Sequence, residues 1–263
     1  MSIQTDWQEI VVPEKLMNHM AEGLRSSQEG RDAKDTPIFQ EILSHLGAQR
    51  SVVDIGAGVG RFTVPLAEHG CTVWAVEPSE LMRTHLQEAV AVKKLESAVH
   101  TLPGMWPDVE VSAAEVALAA FVIHFSPRPR EFVRAMEATA TERCVVAIHV
   151  DPMFSGINDL WRVFHSDRIA PQPPVFRDLY PLLLEEGIVA DVHVYEEQRN
   201  GGFWRDPAKA LEGLAELLQI ETDVEREQLT VLLRERMEKQ GGTFSFAPQA
   251  SRIAVVSWRP RMT

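Results

Sequence analysis

The chain has 263 residues, enough to bury one sizeable core, and its 45% hydrophobic and 24% charged content is that of an ordinary globular protein. Its 26 basic and 38 acidic residues leave a formal net charge of −12, which argues against DNA and anionic membranes as partners. Cys71 and Cys144 stand singly in apolar runs, and the opening stretch lacks the basic start and apolar core of an export signal, so a soluble, cytoplasmic protein is expected.

In chain order, the first clear signal is the helix pattern TPIFQEILSHLG, with Thr36 as N-cap, Pro37 at the first helical position and Gly47 past the end. Short apolar runs then follow at 51–55, 71–76, 97–100, 115–121, 144–150, 189–196 and 252–258, and read as strands. Helix patterns lie between them near 59–69, 80–95, 128–140 and 174–186. The first five strand runs are almost continuously apolar, as strands covered on both faces are. The fold class expected is therefore α/β: a doubly wound, mostly parallel seven-stranded sheet with helices on both faces. A ligand belongs outside the carboxyl ends of such strands, at the switch point of the strand order.

Two inserts interrupt this alternation. Residues 151–172 separate a strand from its next helix, and residues 203–240 add two helices beginning at Asp206-Pro207 and at Thr222. Thr222 and Glu225 have the spacing of a capping box. Gly201-Gly202 and Gly241-Gly242 bracket the second insert, either as hinges of a mobile lid or as ordinary turn residues.

The chemistry concentrates in SVVDIGAGVGRF. Gly56, Gly58 and Gly60 directly follow a strand and open a helix, which suits a backbone cradle for a nucleotide-like ligand. A dinucleotide fingerprint needs Gly or Ala at position 61, where Arg61 stands, and this weighs against NAD. The stretch instead resembles the first motif of the class I S-adenosylmethionine (SAM)-dependent methyltransferases, and the resemblance extends over about residues 45–150. It implies that Asp54 accepts hydrogen bonds from the ammonium end of SAM, while Gly56, Ala57, Gly58 and Gly60 form the cofactor loop. It implies that Glu77, ending the second strand ahead of Pro78, binds both ribose hydroxyls. In PGMWPD, Met105 and Trp106 are expected to flank the adenine with Asp108 the nearest acid; a core anchor is the other reading of Trp106. Phe121, ending the fourth strand, completes the cofactor set.

Acceptor chemistry is sought beyond strands four and five. His124 and His149 are the candidate catalytic residues, each a possible proton acceptor near its ordinary pKa, with a core role open for His149. His124, Trp161 and His165 are candidate acceptor-binding residues. Trp161 and His165, four apart on one helical face with Arg162 and Arg168 nearby, either wall the pocket or pack their helix down. Residues 1–50, with Trp7 and His19, are expected by resemblance to form a helical segment covering the site, and 51–263 the SAM-binding domain carrying both inserts. No metal-ligand spacing, G-x-S-x-G elbow or P-loop occurs. The Asn-Pro-Pro-Tyr sequence of many amino-group methyltransferases is replaced by AAFVIHF. The resemblance thus implies methyl transfer from SAM to an oxygen or nitrogen of a small-molecule acceptor, with S-adenosylhomocysteine as product. Methylation of a protein or RNA, and a SAM-binding module without turnover, are the alternatives.

Overall fold

The computed structural model describes residues 7, 33–166, 170, 172–198, 204–245 and 250–261; His19, Arg168, Gly201 and Gly202 lie outside the described residues. The strands are β1 (Ser51–Ile55), β2 (Thr72–Glu77), β3 (Val99–Pro103), β4 (Ala114–Ala120), β5 (Ala140–His149), β6 (Asp191–Gln198) and β7 (Ala250–Trp258). They form one seven-stranded sheet in the order β3-β2-β1-β4-β5-β7-β6. The first five strands pair in parallel, and β7 lies antiparallel between β5 and β6. Parallel pairing demands a crossover each time, which is why helices intervene between the strands. The carboxyl ends of β1, β2, β4, β5 and β6 therefore meet along one edge, with the start of β7 among them.

The helices of this layer are α1 (Pro37–Ser44), α2 (Thr63–Glu68), α3 (Glu80–Lys93), α4 (Pro129–Thr139) and, after the first insert, α6 (Phe176–Glu185). Strand alternation divides the core in two. On one face Val53, Ile55, Ala117, Ala119, Val146 and Ile148 pack against Phe132 and Met136 of α4 and Leu179 and Leu183 of α6. On the other, Val52, Val116, Leu118 and Val145 meet Phe39 and Ile42 of α1, Leu66 of α2 and Leu86 of α3. Thr36 caps α1 by accepting from the Phe39 amide at 3.3 Å. The helix expected from residue 59 begins only at Thr63, because Gly56, Gly58 and Gly60 all take positive φ and keep the chain in a turn. Gly47 is no helix cap, since α1 ends at Ser44 and a side chain at 47 would meet the Glu115 carboxylate, its Cβ 2.6 Å from Oε1.

The two inserts are one unit. Helices α5 (Asn158–Phe164), α7 (Pro207–Leu217) and α8 (Asp223–Lys239) share a small core of their own that includes Phe154, Trp161, Trp204, Leu214, Leu229, Leu233 and Phe244. Trp204 and Phe244 exchange backbone hydrogen bonds of 3.0 and 2.8 Å, closing the second insert on itself. Gly213 of α7 lets Trp204 approach, since a Cβ there would lie 2.4 Å from the indole. Thr222 and Glu225 form the expected capping box of α8. Phe125, just beyond β4, packs on this cap and joins it to the sheet's carboxyl edge. No helix among the described residues is long and apolar enough to cross a membrane.

Candidate functional site

The turn after β1 is built by backbone bonds rather than by side chains. The Gly56 and Ala57 amides both donate to the Val76 carbonyl, at 2.8 and 3.1 Å, tying the turn to β2. A Cβ on Gly56 would lie 2.4 Å from Val122, and one on Gly60 would lie 2.6 Å from Leu86, so these two glycines answer to protein packing. Gly58 differs, because its Cβ would meet nothing nearer than the Met82 sulfur at 3.9 Å. The glycine with room beside its backbone is therefore the middle one, and there a ligand can approach.

Two buried carboxylates frame that turn. Glu77 ends β2 with its oxygens accepting from the Gly58 and Ser79 amides, each at 2.9 Å. Burial pushes its carboxyl above the usual range, and the two amides and Arg83 oppose this only in part. Each oxygen keeps a lone pair for a further donor. Asp54, 2% exposed, accepts from the Thr63 hydroxyl at 2.6 Å. Desolvation raises its carboxyl to about 6, the Thr63 hydroxyl opposing and the nearby Glu77 charge adding to the rise. An acid held so high is stabilised by an incoming cation.

The end of β4 is the second part of the site. Phe121 takes a left-handed backbone, φ 59°, which costs a side-chain-bearing residue ~1 kcal/mol or more. Its amide donates to the Ala147 carbonyl at 2.8 Å, and its ring lies 5.1 Å from that of His149. The reversal sends Val122 into the space that Gly56 leaves and starts the 3-10 turn Ile123–Phe125. His124 in this turn is 1% exposed, and neither ring nitrogen has a hydrogen-bond partner. Desolvation, with a smaller contribution from His149, holds its imidazole down to about 3. His124 is thus neutral throughout the physiological range. The sequence reading treats it as a base near its ordinary pKa; burial instead suits it to hydrogen bonding a ligand. Trp7 reaches this turn and donates its indole N–H to the Ser126 carbonyl at 3.1 Å.

Other expected site residues fall elsewhere. Met105 is 52% exposed beyond β3, open to a ligand, whereas Trp106 turns into the core and donates to the Phe132 carbonyl at 3.1 Å. The core reading of Trp106 therefore replaces the adenine contact. Asp108 is engaged by Arg128. Pro78 offers its carbonyl to Arg83. Trp161 and His165 face the cap's interior, with rings 4.3 Å apart and His165 Nε2 2.6 Å from the Leu218 carbonyl. They pack α5 down, the second of the two roles the spacing allows.

Three residues at the same edge escape the sequence reading. Arg61 leaves the glycine turn, spreads over the Phe62 and Phe121 rings at 5.3 and 5.4 Å, and pairs with Glu197 of β6 at 2.6 Å. Tyr195 lies two residues before Glu197, on the same side of the strand; its hydroxyl is buried without a partner. Burial first, then Glu197, raises that phenol's pKa. Nearby, Asp151 is held by Arg252, whose hydrogen bond lowers the carboxyl.

The family model described as a methyltransferase domain matches residues 53–143. An uncharacterized methyltransferase of Geobacillus sp. (strain WCH70) is 33% identical over 85 residues, 30% of this chain and 40% of that protein. The ribosomal RNA small subunit methyltransferase A of Mycobacterium bovis is 33% identical over 94 residues, 33% of this chain and 29% of that protein. The chain thus spans less than half the length of these two curated relatives. In fold it is similar to a protein of Anabaena variabilis described as a candidate methyltransferase from an antibiotic biosynthesis pathway. That likeness has a TM-score of 0.56 at 18% identity, over 87% of this chain and 98% of the other.

Proposed function

For a chain that belongs, through residues 53–143, to the class I SAM-dependent methyltransferases, we propose that it transfers a methyl group from SAM to an oxygen or nitrogen of a small molecule. The residues fit the cofactor. The opening at Gly58 admits a ligand to the backbone, and the Glu77 carboxylate beside it has lone pairs left for two vicinal hydroxyls. Asp54 is a buried acid that an ammonium group stabilises in its charged form. Met105 offers an exposed apolar side chain beyond β3 for the base. When bound, SAM supplies an electrophilic methyl on a sulfonium, so the protein's own work is to align the acceptor and exclude water.

The observation that carries this reading is His124, a buried imidazole with two unpartnered nitrogens at the carboxyl end of β4, locked to the glycine turn through Val122 and Gly56. It orients the acceptor by a neutral hydrogen bond, and a proton lost on transfer passes to solvent. The aromatic shell of Phe121, Phe125 and His149 suits a small organic acceptor.

Similarity to an RNA-modifying relative favours a second reading, methylation of RNA; the net charge of −12 opposes it. Incubating the purified protein with methyl-tritiated SAM, a small-molecule extract and total RNA separates the two. Label in the small-molecule fraction is expected, and label in RNA alone overturns the acceptor class.

A further inference from the structure

Buried polar atoms without a hydrogen-bond partner are rare, and each calls for an explanation. Among the described residues they occur in four side chains: His124, Arg143, Tyr195 and Trp258. Arg143 and Trp258 sit at the far end of the sheet, where Cys144 pairs with Trp258, and the Arg143 guanidinium bonds Ser257 and Asp191 through another nitrogen. The other two belong to the carboxyl edge. Tyr195 is in register with Ile253, which is in turn in register with His149, the last residue of β5. The His149 ring contacts Phe121, and Phe121 lies under the same Arg61 that pairs with Glu197 beside Tyr195. Register pairs and ring contacts thus link Phe121, three residues before His124, through His149 to Tyr195 along the carboxyl edge.

Among the described residues, two ion pairs along this edge are closed internally. Arg61 is paired with Glu197 and Arg252 with Asp151, so neither arginine is left as a counter-ion for an anionic ligand, and neither acid for a cationic one. A charged ligand there would lose its hydration without gaining an opposite charge, which costs several kcal/mol per ion by general estimates, about what a small ligand's whole affinity supplies. Tyr195 offers one O–H that both donates and accepts, and a neutral imidazole offers one donor and one acceptor.

We propose that Tyr195 is a specificity-determining residue of the acceptor site: its hydroxyl, with the His124 imidazole, selects an uncharged acceptor bearing hydroxyl or carbonyl groups. This rests on the methyltransferase reading above. A hydroxyl or carbonyl satisfies the buried Tyr195 oxygen without bringing a charge, and the Phe121 and His149 rings between the two polar points accept the acceptor's apolar body. Carboxylates, phosphates and ammonium compounds are disfavoured because, among the described residues, Arg61, Glu197, Arg252 and Asp151 are already paired with one another.

The test uses the full-length protein loaded with S-adenosylhomocysteine and a matched trio of probes followed by ligand-observed NMR: benzyl alcohol, benzoate and benzylamine. Benzyl alcohol is expected to bind, the two charged probes at least about tenfold more weakly. Tyr195→Phe, which keeps the ring, is expected to weaken benzyl alcohol by about tenfold while leaving S-adenosylhomocysteine affinity and melting temperature unchanged. Equal or tighter binding of either charged probe, no binding of benzyl alcohol, or an unaltered benzyl alcohol affinity in the variant each overturns the proposal. The charge series needs only the wild-type protein, so it tests the proposal even if the variant does not fold. A calorimetric titration of S-adenosylhomocysteine on the same samples separates failure of this proposal from failure of the methyltransferase reading.

Discussion

Asp54→Asn tests whether the first-strand acid is held protonated by its surroundings. The carboxyl is 2% exposed, bonded to Thr63, and raised to about 6 from an ordinary value of 3.8. A raised acid binds its proton more tightly in the folded state. Its stabilising contribution is therefore complete below 3.8 and is lost as the pH climbs through about 6. Across the full window the shift corresponds to ~3 kcal/mol, and between pH 5 and pH 8 to ~1.4 kcal/mol. Asparagine keeps the carbonyl that accepts from Thr63 but does not titrate. Asp151 and Glu186 titrate with the opposite sign and Glu77 with the same one; all three are common to both proteins, and of these only Glu77, whose charge acts on Asp54, can leave a remainder in the difference. Urea unfolding of both proteins at pH 5, 6, 7 and 8 should show the variant gaining on the wild type by ~1.4 kcal/mol from the lowest to the highest pH. A stability difference that does not change with pH would mean that Asp54 ionises at its ordinary value and that burial does not hold its proton. If Asp54 receives the ammonium of the cofactor, calorimetry of S-adenosylhomocysteine near pH 6 should also register proton release, absent in the variant.

Other substitutions read the remaining parts of the site. Gly56→Ala combines a positive φ of 70° with a Cβ 2.4 Å from Val122 and should destabilise by ~2 kcal/mol or more, whereas Gly58→Ala meets only a backbone penalty of ~1 kcal/mol. Thermal melts of the two variants should rank in that order, and equal losses would contradict the packing role assigned to Gly56. His124→Phe removes two buried polar atoms that have no partner, so the unfolding free energy should stay level or rise by ~1 kcal/mol while methyl transfer falls. A lowered denaturation midpoint would show that the imidazole supports the fold. Glu77→Ala should weaken S-adenosylhomocysteine by more than ~1.5 kcal/mol in a titration, and it also strands the Gly58 and Ser79 amides; unchanged affinity would refute the ribose role.

Much of this arrangement is legible in the chain. Runs such as SVVDI and CVVAIHV are mostly apolar without alternating because β1 and β5 are covered on both faces, so strand existence and the α/β class follow directly. Three closely spaced glycines at a strand end mark the turn, and Asp54 and Glu77 read as strand-end acids from their place beside it. What escapes is whatever depends on a distant partner. Trp106 looks like a ligand platform until the Phe132 carbonyl, 26 positions away, takes its indole N–H. Trp161 and His165 share a face by spacing, yet which surface that face meets depends on Leu218 and on the second insert folding against the first. Arg61 weighs against NAD in the sequence, but its pairing with Glu197, 136 residues on, appears only once β6 is folded beside β7. Tyr195 falls within an expected strand, and only its register with His149 across β7 brings it to the carboxyl edge. An Arg directly after a glycine turn, together with an acidic residue at the end of an edge strand, is the signal that could have pointed to that pair.

The central claim is that the turn framed by Asp54 and Glu77 holds SAM. The most direct measurement is a calorimetric titration of the ligand-free, folded protein with S-adenosylhomocysteine, with NAD as the comparison. The account predicts binding of S-adenosylhomocysteine with a Kd of roughly micromolar order, about −8 kcal/mol, and no binding of NAD. Binding of NAD in its place, or of neither, would contradict it.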